Sequence, residues 1–216
     1  MKHKPKILMI VNEFPPVGES GVQRPLKFLK YLSKAGCETF VITPKRLPKN
    51  VTDRSLEKDV PPDAKIFHTG SWGLQGGATE SLGDFRSKLS RGGSGLRSLL
   101  WFLLKLVNDI LFPIDKQIGW VPFAWFKAVL LIRKHRIRNV YITAYPFSAF
   151  FVGVLLKLTF GKSIFWLADY RDAWQFEPKF EEKTLWFRQR IIIKCDNLFL
   201  KLADYVVFPT DRKSVV

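Results

Sequence analysis

Residues 6–11 form an unbroken apolar run behind Lys6, Ile7-Leu8-Met9-Ile10-Val11, closed by Asn12-Glu13. A run without polar alternation predicts a strand buried on both faces of a parallel sheet. Residues 12–20 hold Pro15, Pro16 and Gly18 and predict a loop. Over 21–35 the apolar positions Val22, Leu26, Leu29 and Leu32 recur near helical spacing, and Gly36 follows as a stop. Residues 39–43 predict a second strand. Strand, loop, helix and strand in this order make a βαβ unit, whose crossover is right-handed.

The alternation continues. Residues 44–62 are polar and punctuated by proline, and 65–68 predict a short third strand. Residues 70–95 carry eight of the fourteen glycines, with serine and charged residues between them, and predict a flexible insertion without a core of its own. Helices are expected over 96–111, 122–135, 148–160 and 182–203, and strands over 139–143, 163–168 and 205–208. Strands alternating with helices predict an α/β fold, a Rossmann-like, doubly wound and mainly parallel sheet. No internal repeat at a fixed period is present.

The chain has 216 residues, 47% of them hydrophobic, enough for one core and too few for two full-sized domains. The expected organisation is therefore a single domain over 1–216 with the insertion at about 70–95. The net charge of +16 changes the picture, because folding has no need of that imbalance. It points to an anionic partner: a membrane surface, phosphorylated substrates or nucleic acid. Nucleic acid is the weakest of these, since no helix-turn-helix, RNA-binding or zinc signature accompanies the charge, and no nucleic-acid partner is expected. Cys37 and Cys195 are far apart and have no ligand spacing around them, so two free thiols are expected, with no metal and no cofactor. The start Met1-Lys2-His3-Lys4-Pro5-Lys6 precedes an apolar run too short for a signal peptide, and no small-residue cleavage site follows. Neither 99–112 nor 147–160 is long and apolar enough to span a bilayer. The expected location is cytoplasmic, with peripheral attachment at the inner face of the cell membrane as the variant the charge favours.

Three loops carry candidate chemistry. Gly18-Glu19-Ser20-Gly21 lies between the first strand and the first helix. In an open parallel sheet, ligands sit outside the carboxyl ends of the strands. Glycines there either let the backbone approach a ligand near the helix start or only form a tight turn. A nicotinamide dehydrogenase would need three spaced glycines and an acid ending the second strand. This loop has two glycines, and the second strand runs into Thr43-Pro44-Lys45-Arg46. The second loop is Tyr145-Pro146-Phe147-Ser148. It is either ligand-facing through Tyr145 and Ser148 or a helix start with Ser148 as cap and Phe147 as core. The third, Ala168-Asp169-Tyr170-Arg171-Asp172-Ala173-Trp174, brings two carboxylates, a guanidinium and an indole to a strand end. The carboxylates can bind sugar hydroxyls or take a proton, Arg171 can fork onto a phosphate, and Trp174 can stack on a sugar. The bland alternative is an Arg–Asp pair that staples the loop. His68 can reach the cleft from a strand end or simply be solvated.

Together these segments resemble the family-4 glycosyltransferases of the GT-B fold. Phe14-Pro15-Pro16, Gly21-Val22-Gln23-Arg24-Pro25 and Leu26-Lys27-Phe28 are similar to the family's opening. Residues 143–148 resemble its second acceptor-side loop, Asp169 to Trp174 its Asp-Phe-Arg-Asp-Pro-Trp motif, and Ala203-Asp204-Tyr205-Val206-Val207 its Ala-Asp-x-Val-Ile stretch. The resemblance covers most of the chain outside 70–95. It implies an acceptor-binding N-terminal domain of a two-domain enzyme, with a nucleotide-sugar donor held by a C-terminal domain. Sugar passes to an acceptor hydroxyl without a metal ion, and usually with retention of configuration. It implies Asp169 and Asp172 as catalytic candidates. Gly18, Ser20, Gly21, Arg24, Tyr145, Ser148, Arg171 and Trp174 become substrate-binding candidates. A sugar or lipid-linked acceptor, in cell-surface polysaccharide or glycolipid synthesis, is the expected partner. Two departures stand out: Tyr145 to Ser148 offers no histidine where many relatives carry one, and Ala173 replaces a usual proline. The family's paired donor-site glutamates have no counterpart before Val216. A chain that is truncated, frameshifted or half of a split enzyme, and inactive alone, is expected.

Two basic segments have other readings. Residues 96–112, with Arg97 and Lys105 among apolar residues, are either a core helix or an interfacial helix on anionic lipid. Arg133-Lys134-His135-Arg136-Ile137-Arg138 reads as a solvated helix end complementing the dipole. The rival to an enzyme is a noncatalytic basic α/β module that binds an anionic membrane or a partner protein.

Overall fold

The structure is a computed structural model and describes residues 4–45, 52–72, 115, 117–171 and 186–208, with the side chains of 186–188 left aside. Six strands form one sheet: β1 (Lys6–Ile10), β2 (Glu38–Pro44), β3 (Lys65–Thr69), β4 (Asn139–Ala144), β5 (Phe165–Tyr170) and β6 (Tyr205–Val207). Their spatial order is β3-β2-β1-β4-β5-β6, and every pair is parallel. Four helices are described: α1 (Gln23–Lys34), α2 (Val121–His135), α3 (Ala149–Phe160) and α4 (Trp186–Leu202). This is the α/β, Rossmann-like sheet that the alternation of segments predicts. No helix among the described residues is long and apolar enough to cross a membrane.

The central strands explain the run of apolar residues at the start of the chain. Successive side chains of β1 point to opposite faces. Leu8 and Ile10 enter one core with Ile42, Val140, Ile142 and Trp166. Ala124 of α2, Phe150 of α3 and Phe199 of α4 cover that face. Met9 and Val11 enter the other core with Val41 and Tyr141, beneath Leu29 of α1. With both faces buried, no polar residue can alternate in.

Local chemistry sets the ends of the helices. Beyond α1, Gly36 adopts φ +79, a left-handed conformation that costs glycine nothing. Its N–H donates to Ser33 O at 2.9 Å and that of Cys37 to Leu32 O at 3.0 Å, so carbonyls orphaned at the helix end are satisfied. At the far end of α2, Arg133, Lys134 and His135 occupy the last turn, where cations complement the helix dipole. This is the role the sequence assigns to that charge run.

Two boundaries differ from the sequence reading in ways that matter below. The first helix does not start at Gly21; Ser20–Val22 form one 3-10 turn, and α1 begins at Gln23. The strand expected over 163–168 runs instead from Phe165 to Tyr170. That two-residue shift draws Asp169 out of the loop and into the sheet. The insertion beyond residue 72, the expected helix over 96–111, and Asp172 and Trp174 lie outside the described residues.

Candidate functional site

The connection from β1 runs through α1 to β2 on one side, while β4 lies on β1's other side. Chain paths therefore diverge between β1 and β4, and their carboxyl ends border the crevice where ligands of such sheets bind. The loops after β1, β4 and β5 all open on this edge.

Asp169 sits inside the edge rather than on it. It pairs with Thr143 in the β4–β5 register and has no exposed surface. Arg24, on the first turn of α1, grips it side-on: Nε donates to Oδ2 at 2.9 Å and Nη2 to Oδ1 at 2.7 Å. The Tyr141 hydroxyl donates to Oδ2 at 2.6 Å, and the Thr143 hydroxyl lies 3.4 Å from the same oxygen. Both carboxylate oxygens are thus spent on protein donors. The hydrogen bond to Asp169 raises the Arg24 pKa above its already high value. Burial, followed by the Asp169 charge, raises the Tyr141 phenol well above the ordinary tyrosine range. The candidate catalytic carboxylate is sealed, so its direct effect is to hold Arg24.

Arg24 is not sealed. About a third of its side chain, 35%, remains exposed, and Asp169 takes only two of its five N–H groups, with Tyr141 beside it on the inner side. Its guanidinium lies 5.9 Å from the Phe28 ring centre, and Phe28 packs on Tyr141 at 5.3 Å. The aromatic neighbours fix the direction in which the free edge of Arg24 points.

The second arginine pairs elsewhere than its own motif suggests. Arg171 Nη1 donates to Glu13 Oε2 at 3.1 Å, bridging the loops after β5 and β1. Both side chains are largely buried. Gly21 lies directly against this pair. A Cβ there would collide with Glu13 Oε2 and Arg171 Nη1 and sit 2.8 Å from Arg171 Cζ. Glycine at 21 is thus required for the close approach of two charged side chains. The loop itself is held by Asp53 N–H donating to Pro16 O at 2.8 Å and by a bridge from Val17 to Thr52. Gly18 is half-buried and Ser20 exposed on the same loop.

The loop after β4 offers less. Tyr145 is half exposed and faces solvent beside this edge, packing edge-on to Phe147 at 6.3 Å. Ser148 is fully buried and presents no surface to a ligand. Nor does its hydroxyl cap α3. Its N–H donates instead to Asp115 Oδ2 at 2.8 Å, while Asp115 Oδ1 accepts from Gln117 N–H at 2.9 Å. A carboxylate 33 residues upstream therefore caps the helix. Phe147 is core, as its apolar alternative implies. His68 is exposed on the edge strand β3, two strands away from β1.

Charge follows from this geometry. Arg24 pairs with Asp169 and Arg171 with Glu13, so the described part of the edge presents each guanidinium with a carboxylate counter-charge. These pairs offer N–H donors, beside the Tyr145 hydroxyl, without a net cation. That suits hydroxyl-rich ligands better than a bare phosphate, for which excess positive charge is the usual attraction. The sequence pointed to Gly21, Arg24, Asp169 and Arg171. It gave no role to Glu13, read only as the polar residue ending a strand, or to Tyr141 and Thr143, read only as strand. Among the described residues no group of three His, Cys, Asp or Glu side chains is placed to hold a metal.

The sequence matches no family model and no curated protein. The fold is similar to several solved structures. A glycosyltransferase from Rickettsia africae ESF-5 shares 13% identity with a TM-score of 0.38, over 83% of this chain and 34% of that one. UGT2 of Phytolacca americana, complexed with UDP-2-fluoro-glucose and pterostilbene, shares 8% identity with a TM-score of 0.42, over 78% and 30%. The same enzyme in its apo form shares 11%, with a TM-score of 0.39. The chain thus spans about a third of the length of these structures.

Proposed function

We propose that this chain is the acceptor-side, N-terminal domain of a sugar-nucleotide-dependent glycosyltransferase of the GT-B, family-4 type. The observation that carries the reading is the meeting of Glu13, Gly21, Arg24, Asp169 and Arg171 at the carboxyl edge beside the β1–β4 divergence. These are residues of the segments that resemble the family's opening and its Asp-x-Arg-Asp motif. The nucleotide-sugar is held by a second domain that is not among these 216 residues. Sugar passes to an acceptor hydroxyl, with no metal ion and no cofactor.

Each residue has a distinct part. Asp169 is a positioning residue that fixes Arg24. The free edge of Arg24, with Arg171, Tyr145 and Ser20, binds acceptor hydroxyls. Gly18 and Gly21 keep the loop low enough for the acceptor to approach. Asp172, three residues beyond the sealed aspartate, is the carboxylate that orients the attacking hydroxyl, and Trp174 stacks on a sugar ring. The near-neutral pairing of the arginines supports a saccharide part of the acceptor at this edge. Cell-surface polysaccharide or glycolipid synthesis is the process this chemistry serves.

Saturation-transfer NMR of the 216-residue chain with a panel of oligosaccharides and nucleotide-sugars tests the reading. Oligosaccharide binding should appear, and Gly21→Ala should weaken it about tenfold or more while circular dichroism stays native. The displaced atoms are ends of flexible side chains, so the fold can yield where the site cannot. Incubation with nucleotide-sugars and a lipid extract should give no transfer product. Saccharide binding indifferent to Gly21→Ala would move the site elsewhere. Turnover by this chain alone would defeat the two-domain reading.

A further inference from the structure

The face of the molecule formed by α2 and α3 has a composition that the candidate site does not use. Between Asp115 and Asp169 the chain holds eight lysines and arginines and no aspartate or glutamate. On α2 the solvent side is marked every four residues by Pro122, Phe126 and Leu130, with Arg133 and Lys134 closing the stripe. Phe126 is 62% exposed, Leu130 48%, and Leu158 near the end of α3 75%. The two helices are joined there: Trp125 Nε1 donates to Thr159 Oγ1 at 3.3 Å, and Arg133 lies 6.0 Å from the Phe160 ring centre. Arg133, Lys134, Arg138 and Lys162 are exposed around the same end. Among the described residues, none of these four makes an ion pair with a carboxylate. The result is an apolar strip that ends in a basic corner.

We propose that this α2–α3 face docks on an anionic lipid bilayer, with Phe126, Leu130 and Leu158 entering the interface and the basic corner meeting the headgroups. Charge complementarity identifies the partner as anionic, and the exposed side chains say which kind. A polyanion such as nucleic acid would leave a phenylalanine and two leucines uncovered, whereas an interface buries them. The basic corner lies at the amino ends of β4 and β5, because α2 and α3 each lead into the strand that follows. The candidate site lies at the carboxyl ends, roughly 20 Å across strands of this length. Because α2 and α3 cover one face of the sheet, docking on them lays the strands along the bilayer, with the site edge at the side of the contact. The proposal does not depend on the glycosyltransferase reading, and its readout involves no sugar.

Flotation of the full 216-residue chain with phosphatidylglycerol–phosphatidylcholine vesicles tests it. Binding to these vesicles should be strong, fall as salt rises, and be weak on phosphatidylcholine alone. Phe126→Ser/Leu130→Ser should lose about tenfold or more of the partitioning. Arg133→Gln/Lys134→Gln should lose about fivefold for each charge. The charge-matched control Arg54→Gln/Lys58→Gln alters exposed residues beside Asp59, which pairs with Lys30 of α1 on the opposite face. It should lose less than about twofold, since those charges lie beyond the screening length of roughly 10 Å. All of these positions are exposed, so native circular dichroism is expected throughout. Equal losses from the two charge pairs, or wild-type binding by the Phe126/Leu130 variant, would overturn the proposal. So would release from the vesicles by single-stranded RNA together with RNA binding that needs Arg133 and Lys134 but not Phe126 and Leu130.

Discussion

Arg24→Ala is expected to lower the free energy of unfolding by about 3 kcal/mol, out of proportion to an arginine a third of which is exposed. The reason lies in its partner. Asp169 has no exposed surface, and its charge is balanced by one guanidinium through two hydrogen bonds of 2.9 and 2.7 Å. Without Arg24 the carboxylate keeps the 2.6 Å hydrogen bond from Tyr141 but has no counter-charge. A buried charge left unpaired in this way typically costs ~3–5 kcal/mol. The lower figure applies here because water can follow the truncated side chain in from the solvent side. The cost belongs to the stranded charge rather than to the contact. Neutralising the partner should therefore remove most of it: in an Asp169→Asn background, Arg24→Ala should cost only about 1 kcal/mol. Urea unfolding of the four proteins gives the cycle. A single-variant loss below about 1 kcal/mol, or additive losses, would mean that Asp169 is not held by Arg24.

This pair also shows where the sequence stopped being informative. The strands of the sheet's centre were legible because burial on both faces forbids polar residues, and Ile7 to Val11 contains none. The α1 stripe was legible from Leu26, Leu29 and Leu32, and its end from Gly36. The end of β5 was not, because Asp169 is polar and polar residues at a strand's end read as loop. Asp169 can stay in the sheet only because Arg24, 145 residues away, compensates it. No local pattern carries that information. The same holds for Arg171, whose nearest carboxylates in sequence are Asp169 and Asp172 but whose partner is Glu13, 158 residues away. Ser148 has the residue type and position of a cap, yet Asp115 does the capping from a different segment. The segments of the candidate site could thus be read from the chain. The partners that decide which of its charges face a ligand could not.

In the sequence, Gly153 within an apolar helix reads only as a weak helix former. The structure gives it a sharper role. A Cβ at this position would overlap Cε2 and Cζ2 of Trp166 and lie 2.7 Å from its Cδ2. Trp166 is fully buried on β5, under Phe150 at 6.1 Å. The absent side chain is what lets α3 approach the sheet closely enough to cover that indole. Gly153→Ala should therefore destabilise the fold by about 2 kcal/mol. Overpacking of a rigid ring costs ~1–3 kcal/mol, and the better helix propensity of alanine, worth about 1 kcal/mol, offsets part of it. An exposed glycine on such a helix would respond in the opposite direction, with a gain. A smaller ring should relieve the clash. In a Trp166→Phe background the Gly153→Ala penalty should shrink by at least about 1 kcal/mol and can change sign. Trp166→Phe is itself expected to cost less than its lost volume suggests, because the indole Nε1 is buried without a hydrogen-bond partner among the described residues. Thermal and urea unfolding of the two single variants and the double variant decide the matter. If Gly153→Ala is neutral or stabilising on the Trp166 background, the helix is free to shift, and the close packing of α3 on β5 is not what holds this side of the sheet.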